Sequence, residues 1–179
     1  MRWSKINPRL IAQITIFVVL AYVVAHYDEI LPYKWETYQS PEGRFAAKFP
    51  ATPVVSSEST EGPAANVLAH TVSATPNRET AFAVAWSDVE RSGRSDDELL
   101  DDVRDGALKH VHGNLIEEKR MRVQGHPARE LRVEVRGEAL LICRMILIEN
   151  RLYQLIFSSR RLREDRRSVQ KFFDSFRAM

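Results

Sequence analysis

The segment Ala139–Ile148, ALLICRMILI, constrains the fold more than any other part of the chain. Its side chains are apolar on both faces of an extended strand, with Arg144 as the exception. A strand with two apolar faces has to be covered on both sides. We therefore predict a central strand here, with a layer of structure on each face. If Arg144 is buried, it needs a carboxylate or carbonyl partner, whereas a place near the strand end would expose it.

Alternating apolar and polar side chains predict further strands. In SPEGRFAAKFPATP, the Ser-Pro-Glu-Gly turn of residues 40–43 precedes the alternating strand 45–49, and residues 35–38 would be its partner. Residues 54–65 are polar and are predicted to form a loop. The other strands are predicted at residues 66–74, 80–89, 115–123, 128–136, 139–149 and 151–158.

A first helix is predicted to begin at the capping box Ser95–Glu98 and to run to about His112, with Gly113 as its stop. Its apolar residues recur at helical spacing: Leu100, Val103, Ala107 and Val111. Six acidic residues lie between Asp96 and Asp105. They suit the positive end of the helix dipole, and we interpret them as a solvated face.

A second helix is predicted at residues 163–176. Its apolar stripe is formed by Val169, Phe172, Phe173 and Phe176. In strand 80–89, alanines occupy the face opposite Phe82, Val84 and Trp86, which predicts close packing, most simply by a helix. The predicted fold class is α+β, with an antiparallel sheet of about six to eight strands between two helices.

The N-terminus carries a membrane signal. Leu10–Ala25 is an apolar run, broken only by Gln13 and Thr15, that follows three basic residues. Its length lies between that of a signal-peptide core and that of a spanning helix. The basic end predicts a cytoplasmic N-terminus. One interpretation is an uncleaved signal anchor; the alternative is a signal peptide cleaved after Ala25.

The resulting domain prediction is a basic end and signal anchor or transmembrane helix at residues 1–27, a tether at 28–34 and an extracytoplasmic domain at 35–179. The lipid bilayer would be contacted through Leu10–Ala25. Trp35, just after the tether, is expected at the outer membrane interface.

The charge balance gives no support for nucleic-acid binding. Arg2, Lys5 and Arg9 precede the apolar run, which leaves 23 of the 26 basic residues against 24 acidic ones. Such a nearly neutral chain lacks the electrostatic footprint of a nucleic-acid-binding protein. Cys143 is the only cysteine and is flanked by apolar residues, so we interpret it as a small buried hydrophobe.

The sequence contains no recognised catalytic motif, and we predict no catalytic, cofactor-binding or metal-binding residues and no enzyme activity. His110 and His112 diverge by about 200° on a helix and cannot easily share a metal. His70 and His126 are isolated. In RRLREDRR, Arg160, Arg161 and Arg163 belong either to a solvated helix start or to a patch that faces an anionic lipid surface or an acidic partner.

Several segments together resemble a known group of proteins: SPEGRFAAKFPATP, LLDDVRDGALKHVHGNLIEEK, GHPARELRVEV, NRLYQLIF and KFFDSFR. They resemble uncharacterised bacterial envelope proteins whose domain is similar to the photosystem II extrinsic protein PsbP and to a Ran-binding nuclear import factor. The resemblance covers about residues 35–177. It implies an α/β/α domain and an accessory or partner-binding role without catalysis. No functional residue is carried over from it.

The expected function is therefore that of a non-catalytic, membrane-anchored extracytoplasmic domain that binds a protein partner or serves as an accessory subunit. The first alternative is a carrier of a small ligand or lipid, with a cleft between sheet and helix. A less favoured alternative is an envelope hydrolase.

Overall fold

A computed structural model of the chain describes residues 33–61, 66–91, 93–160, 162 and 164–179. The predicted membrane segment Leu10–Ala25 lies outside these residues. Within the described ranges, no helix is long and apolar enough to cross a membrane. Residues Lys34–Met179 form one compact unit.

Seven antiparallel strands form the larger sheet, in the order β3-β4-β5-β9-β8-β7-β6. Hairpins connect β3 to β4, β4 to β5, β6 to β7, β7 to β8 and β8 to β9. The strands are β3 (Val54–Glu61), β4 (Asn66–Ala74), β5 (Thr80–Asp88), β6 (Gly113–Val123), β7 (His126–Val135), β8 (Ala139–Ile148) and β9 (Arg151–Ser159). This antiparallel architecture confirms the α+β class.

A separate sheet of three strands, β1 (Glu36–Ser40), β2 (Phe45–Phe49) and β10 (Arg177–Ala178), has the order β1-β2-β10. The prediction of a single sheet was therefore wrong in this respect. The hairpin of SPEGRFAAKFPATP pairs as expected, with Glu36 opposite Phe49. It then takes the C-terminal residues of the chain as its third strand, with Ala178 opposite Phe45.

Helix α1 (Asp96–Val111) begins with the predicted capping box. Ser95 Oγ accepts from the Glu98 backbone N–H, and the Glu98 side chain accepts from the Ser95 backbone N–H. The helix ends at His112, whose φ of 50° is left-handed. Gly113 was predicted to be the stop, but it opens β6. A Cβ there would lie 2.4 Å from Val133 Cγ1, so close strand packing requires this glycine.

Helix α2 (Arg166–Ser175) is shorter than predicted and is capped by Asp165, whose side chain accepts from the Ser168 backbone N–H. Its buried residues are Val169, Phe172 and Phe173. Phe176 follows the helix and is buried as well.

The larger sheet is covered on both faces near its centre. Helix α1 lies over β6, β7 and β8, where Leu99 and Leu100 pack with Leu131, Met145 and Leu152. Helix α2 and the small sheet cover the opposite face. Strand β8 is an inner strand with seven of its ten residues buried and the other three partly buried, which confirms the prediction for ALLICRMILI.

An aromatic cluster joins the small sheet to the larger one. The Phe45 ring lies 5.4 Å from Trp86 of β5, 6.3 Å from Tyr153 of β9 and 5.9 Å from Phe176, measured between ring centroids. Phe49 lies 5.4 Å from Phe172 of α2. The alternation of the hairpin therefore directs its phenylalanines into the core.

The tip of the same hairpin is held by hydrogen bonds to its carbonyls. The Arg151 guanidinium donates to the Glu42 carbonyl at 2.9 Å, and the Tyr153 hydroxyl donates to the Gly43 carbonyl at 2.8 Å. The Met179 backbone N–H donates to the Arg44 carbonyl at 2.9 Å. Because these acceptors are occupied within the domain, the tip is a structural element of the fold.

Two local predictions were wrong. Residues 54–61 of the predicted loop form β3, an edge strand that pairs with β4. Its strand character was hidden because its first residues, 54–57, are all exposed and have no buried face. The alanine face of β5 is partly exposed, since α1 lies over β6, β7 and β8. Trp35 packs edge-to-face on Phe82 with Lys171 Nζ 4.5 Å above its ring, and its place at a membrane interface stays a prediction.

The aromatic cluster yields a stability prediction. Phe45→Ala should lower the free energy of unfolding by about 3–5 kcal/mol, because it removes a buried ring and leaves a cavity between the two sheets. Val54→Ala, at an exposed site, should change it by less than about 0.5 kcal/mol. Urea denaturation checks both values. Equal effects of the two substitutions would contradict the assigned role of Phe45.

Candidate functional site

The most deeply buried charged side chain of the described residues is Arg129 on β7. It lies on the sheet face beneath α1. Its Nη1 donates to the Asp101 carboxylate and, at 3.0 Å, to the Glu118 carboxylate. Its Nη2 donates to the carbonyl and the carboxylate of Asp97, at 3.0 and 3.1 Å. One guanidinium thus joins α1, β6 and β7.

A second arginine completes this group. Arg104 of α1 lies 2.8 Å from the Asp101 carboxylate and 3.1 Å from that of Glu118. We call Asp97, Asp101, Arg104, Glu118 and Arg129 the α1 charge cluster. It holds three acids and two arginines in alternating contact, so each charge has an opposite charge as neighbour.

The electrostatics of the α1 charge cluster favour the ionised forms of Asp101 and Arg129. Hydrogen bonding by Arg129 lowers the pKa of Asp101, and the charge of Arg104 adds to this effect. Burial opposes the charge of Arg129, but its hydrogen bonds to Asp101 and Asp97 outweigh burial and raise its pKa. A general acid or base needs a pKa moved towards the working pH. The shifts of Asp101 and Arg129 move away from it, so the arrangement favours fixed charge over proton transfer.

The acidic face of α1 was predicted to be solvated; the side chain of Asp97 is exposed, whereas that of Asp101 is only partly exposed. Both are bound to the buried Arg129. Asp102 and Asp105 are exposed and pair with Arg94 and Arg104.

A cleft of about 400 Å³ lies between α2 and the outer part of the sheet. Its charged residues alternate in sign: Glu117, Lys119, Glu130, Arg132, Glu164 and Arg166. Arg132 pairs with Glu164, and Glu117 with Lys119 at 3.1 Å. The cleft is therefore a set of ion pairs above an apolar floor formed by Ile142, Val169 and Phe173.

Arg144 borders this cleft and is buried. Glu130 accepts from Arg144 Nε at 2.9 Å and from Nη2 at 2.6 Å, and the guanidinium carbon lies 4.6 Å from the Phe173 ring centroid. The expected carboxylate partner of a buried Arg144 is thus confirmed.

The structure brings a serine, a histidine and a glutamate together near the hairpin tip. His70 Nδ1 lies 3.0 Å from Ser57 Oγ and 3.4 Å from Glu42 Oε1. A hydrolase triad needs the nucleophile and the acid on opposite ring nitrogens. Here both oxygens meet the same nitrogen, and the imidazole stacks on Trp86 at 5.1 Å. This geometry does not support a proton relay.

The other candidate residues are dispersed. His110 is exposed near the end of α1, His112 caps that helix, and His126 starts β7. In the part of the chain that is described, no three potential metal ligands form a cluster. Burial raises the pKa of the Cys143 thiol to about 12, which confirms its interpretation as an unreactive core residue. Arg160 is exposed, whereas Arg161 and Arg163 lie outside the described residues.

The architecture can now be compared with known proteins. No family model matches the chain, and no curated protein matches it. Among solved structures, cyanobacterial PsbP (CyanoP) from Synechocystis sp. PCC 6803 is similar, with a TM-score of 0.59 and 16% identity over 84% of this chain and 95% of that chain. The protein PA94 of unknown function from Pseudomonas aeruginosa has a TM-score of 0.41 and 13% identity over 70% of this chain and 82% of that chain.

The similarity to CyanoP shows the fold. The chain has a PsbP-like α+β fold, as the resemblance of its turn and packing motifs implied. The similarity to PA94 is too low to support an argument.

Sequence reasoning missed Arg129, the residue that organises the α1 charge cluster. GHPARELRVEV contains a signal, since Arg129 falls between Ala128 and Leu131, both buried. The carboxylates that neutralise Arg129 come from β6 and from α1. These contacts depend on tertiary packing.

The α1 charge cluster yields the second prediction. Arg129→Met should lower the free energy of unfolding by about 1–3 kcal/mol, because it removes the buried cation while its acids keep partial access to water. Arg120→Met is a matched control: Arg120 faces Arg129 across the strands and lies 3.7 Å from Asp97, but it is 66% exposed, so this ion pair contributes little. It should cost less than about 0.5 kcal/mol. Thermal and urea unfolding of both variants provide the measurement; a stable Arg129→Met protein would refute this role.

Proposed function

We propose that the chain is a non-catalytic accessory protein whose folded domain binds a protein partner. The PsbP-like fold supports this proposal. One observation about the buried charged residues supports it as well. The deepest charged groups of the described residues, Arg129 and Arg144, are both bound by acids of the domain itself. These ion pairs stabilise the domain. A partner would therefore bind to its outer surface.

The proposed location is outside the cytoplasm. Leu10–Ala25 would hold the domain at the membrane as a signal anchor with a cytoplasmic N-terminus, supported by its apolar composition and preceding basic residues. Cleavage after Ala25 would instead release the domain into the periplasm or medium.

Co-purification from native membranes tests the accessory role. The full-length chain, tagged at its C-terminus and expressed at its natural level, should bring down a second polypeptide in a constant ratio. Phe45→Ala, which destabilises the domain, should lose that polypeptide, whereas Val54→Ala should retain it. Recovery of the intact chain without any other polypeptide, under solubilisation that preserves other membrane complexes, would contradict the proposal.

One structural observation supports the carrier alternative: the cleft beside α2. Its ion-paired walls are unfavourable for an acyl chain, because the charged side chains would lose water without a new partner. A small polar ligand is the occupant that fits this alternative best. Native mass spectrometry of the purified chain would reveal it as a bound mass that is released on unfolding.

A contact with an anionic surface is proposed for Arg160, Arg161 and Arg163. Arg160 is exposed, as is the neighbouring Leu162. Basic residues near a membrane attract anionic headgroups by about 1 kcal/mol each.

Vesicle binding tests this contact. The form that starts at His26 should co-sediment with vesicles that contain anionic lipid. Reversal of the three arginines to glutamate should reduce the bound fraction at least about tenfold. Reversal of three exposed bases elsewhere, Lys48, Lys109 and Arg136, serves as the control. Equal effects of both triple variants would contradict a local patch.

A further inference from the structure

Strand β6 forms one edge of the larger sheet. It pairs with β7 alone in the strand order, and with eleven residues it is the longest strand of the described part. Most of its residues are exposed. An edge strand presents main-chain N–H and C=O groups that another strand can bind.

The order of charged residues along β6 is complementary to that of a second, antiparallel copy of the same strand. Glu117 and Glu118 are followed by Lys119 and Arg120. When two such strands run antiparallel with Glu118 opposite Glu118, each Glu117 faces Lys119 of the other copy. Charged residues usually protect an edge because like charges would meet there. In this register opposite charges meet instead, twice.

The central pair of this register is already compensated. Glu118 is 20% exposed and lies 3.0 Å from Arg129 and 3.1 Å from Arg104. When two copies face each other, each Glu118 is therefore already paired with arginines of its own chain. In the two adjacent registers, Lys119 or Glu117 would face its own copy. Both side chains are more than half exposed, and like charges directly opposite are destabilising. The charge pattern therefore favours this register over the two adjacent ones.

Apolar residues flank the charged segment. Ile116, 54% exposed, lies at a β-bulge between Leu115 and Glu117. In this register Leu115 and Ile116 come close to Met121 and Arg120 of the second copy. Their burial would add to the main-chain hydrogen bonds at both ends of the pairing.

We propose that β6 is the contact surface of a symmetric homodimer, in which two copies pair antiparallel about Glu118 and form one continuous sheet. The symmetry is two-fold, since the same residues contribute from both copies. A strand edge buries less than the roughly 1,200–2,000 Å² of a standard interface, so the dimer is weak and reversible.

Charge swaps test the pairing. Sedimentation velocity of the full-length chain in mild detergent should show a monomer–dimer equilibrium that depends on concentration. Glu117→Lys or Lys119→Glu alone should weaken dimerisation at least about tenfold, because each turns two attractive pairs into two repulsive ones. The double swap should restore it. An equimolar mixture of the two single variants should restore it as well, because the lysines of one variant then face the glutamates of the other.

Two exposed charges away from β6 provide the controls, Lys48→Glu and Glu90→Lys, and neither should alter the equilibrium. Circular dichroism confirms that each variant is folded. A chain that remains monomeric at every concentration overturns the proposal. So does a dimer that persists in both single variants, since it is held elsewhere, or a mixture of single variants that stays monomeric.

Discussion

The contact between Arg129 and the acids of α1 is the interaction on which the arrangement of this domain depends. A guanidinium in the middle of a covered sheet face is unfavourable unless carboxylates surround it. Asp97 and Asp101 from α1 and Glu118 from β6 provide them. These contacts join the helix to β6 and β7; α1 lies over β6, β7 and β8, and the alanine face of β5 is partly exposed.

A second buried arginine is also paired with a carboxylate, on the opposite face of the sheet. Arg144 is held by Glu130 and by the ring of Phe173, which joins α2 to β7 and β8. Both helices are therefore attached to the sheet by a buried arginine as well as by apolar packing. Buried charge used in this way stabilises an arrangement of layers.

Much of the architecture could be predicted because local patterns determine it. ALLICRMILI required cover on both faces, and the capping box placed the start of α1 at Ser95–Glu98. The division into two sheets could not be predicted, because the pairing of Ala178 with Phe45 joins the ends of the domain. The partners of Arg129 could not be predicted, because they come from α1 and β6, although its place between buried residues is a local signal. The strand 54–61 was missed because its sequence does not alternate.

Hydrogen exchange of individual backbone amides, followed as the pH is lowered, tests most directly whether ion pairing holds α1 to the sheet. The pKa of Asp101 is lowered in the folded chain, so its stabilising contribution is complete above its ordinary pKa of about 4 and is lost as the pH falls below it. We predict that the amides of α1 lose protection together in that range, while those of β8 and β9 stay protected. Protection of α1 that persists until β8 itself opens would contradict the account.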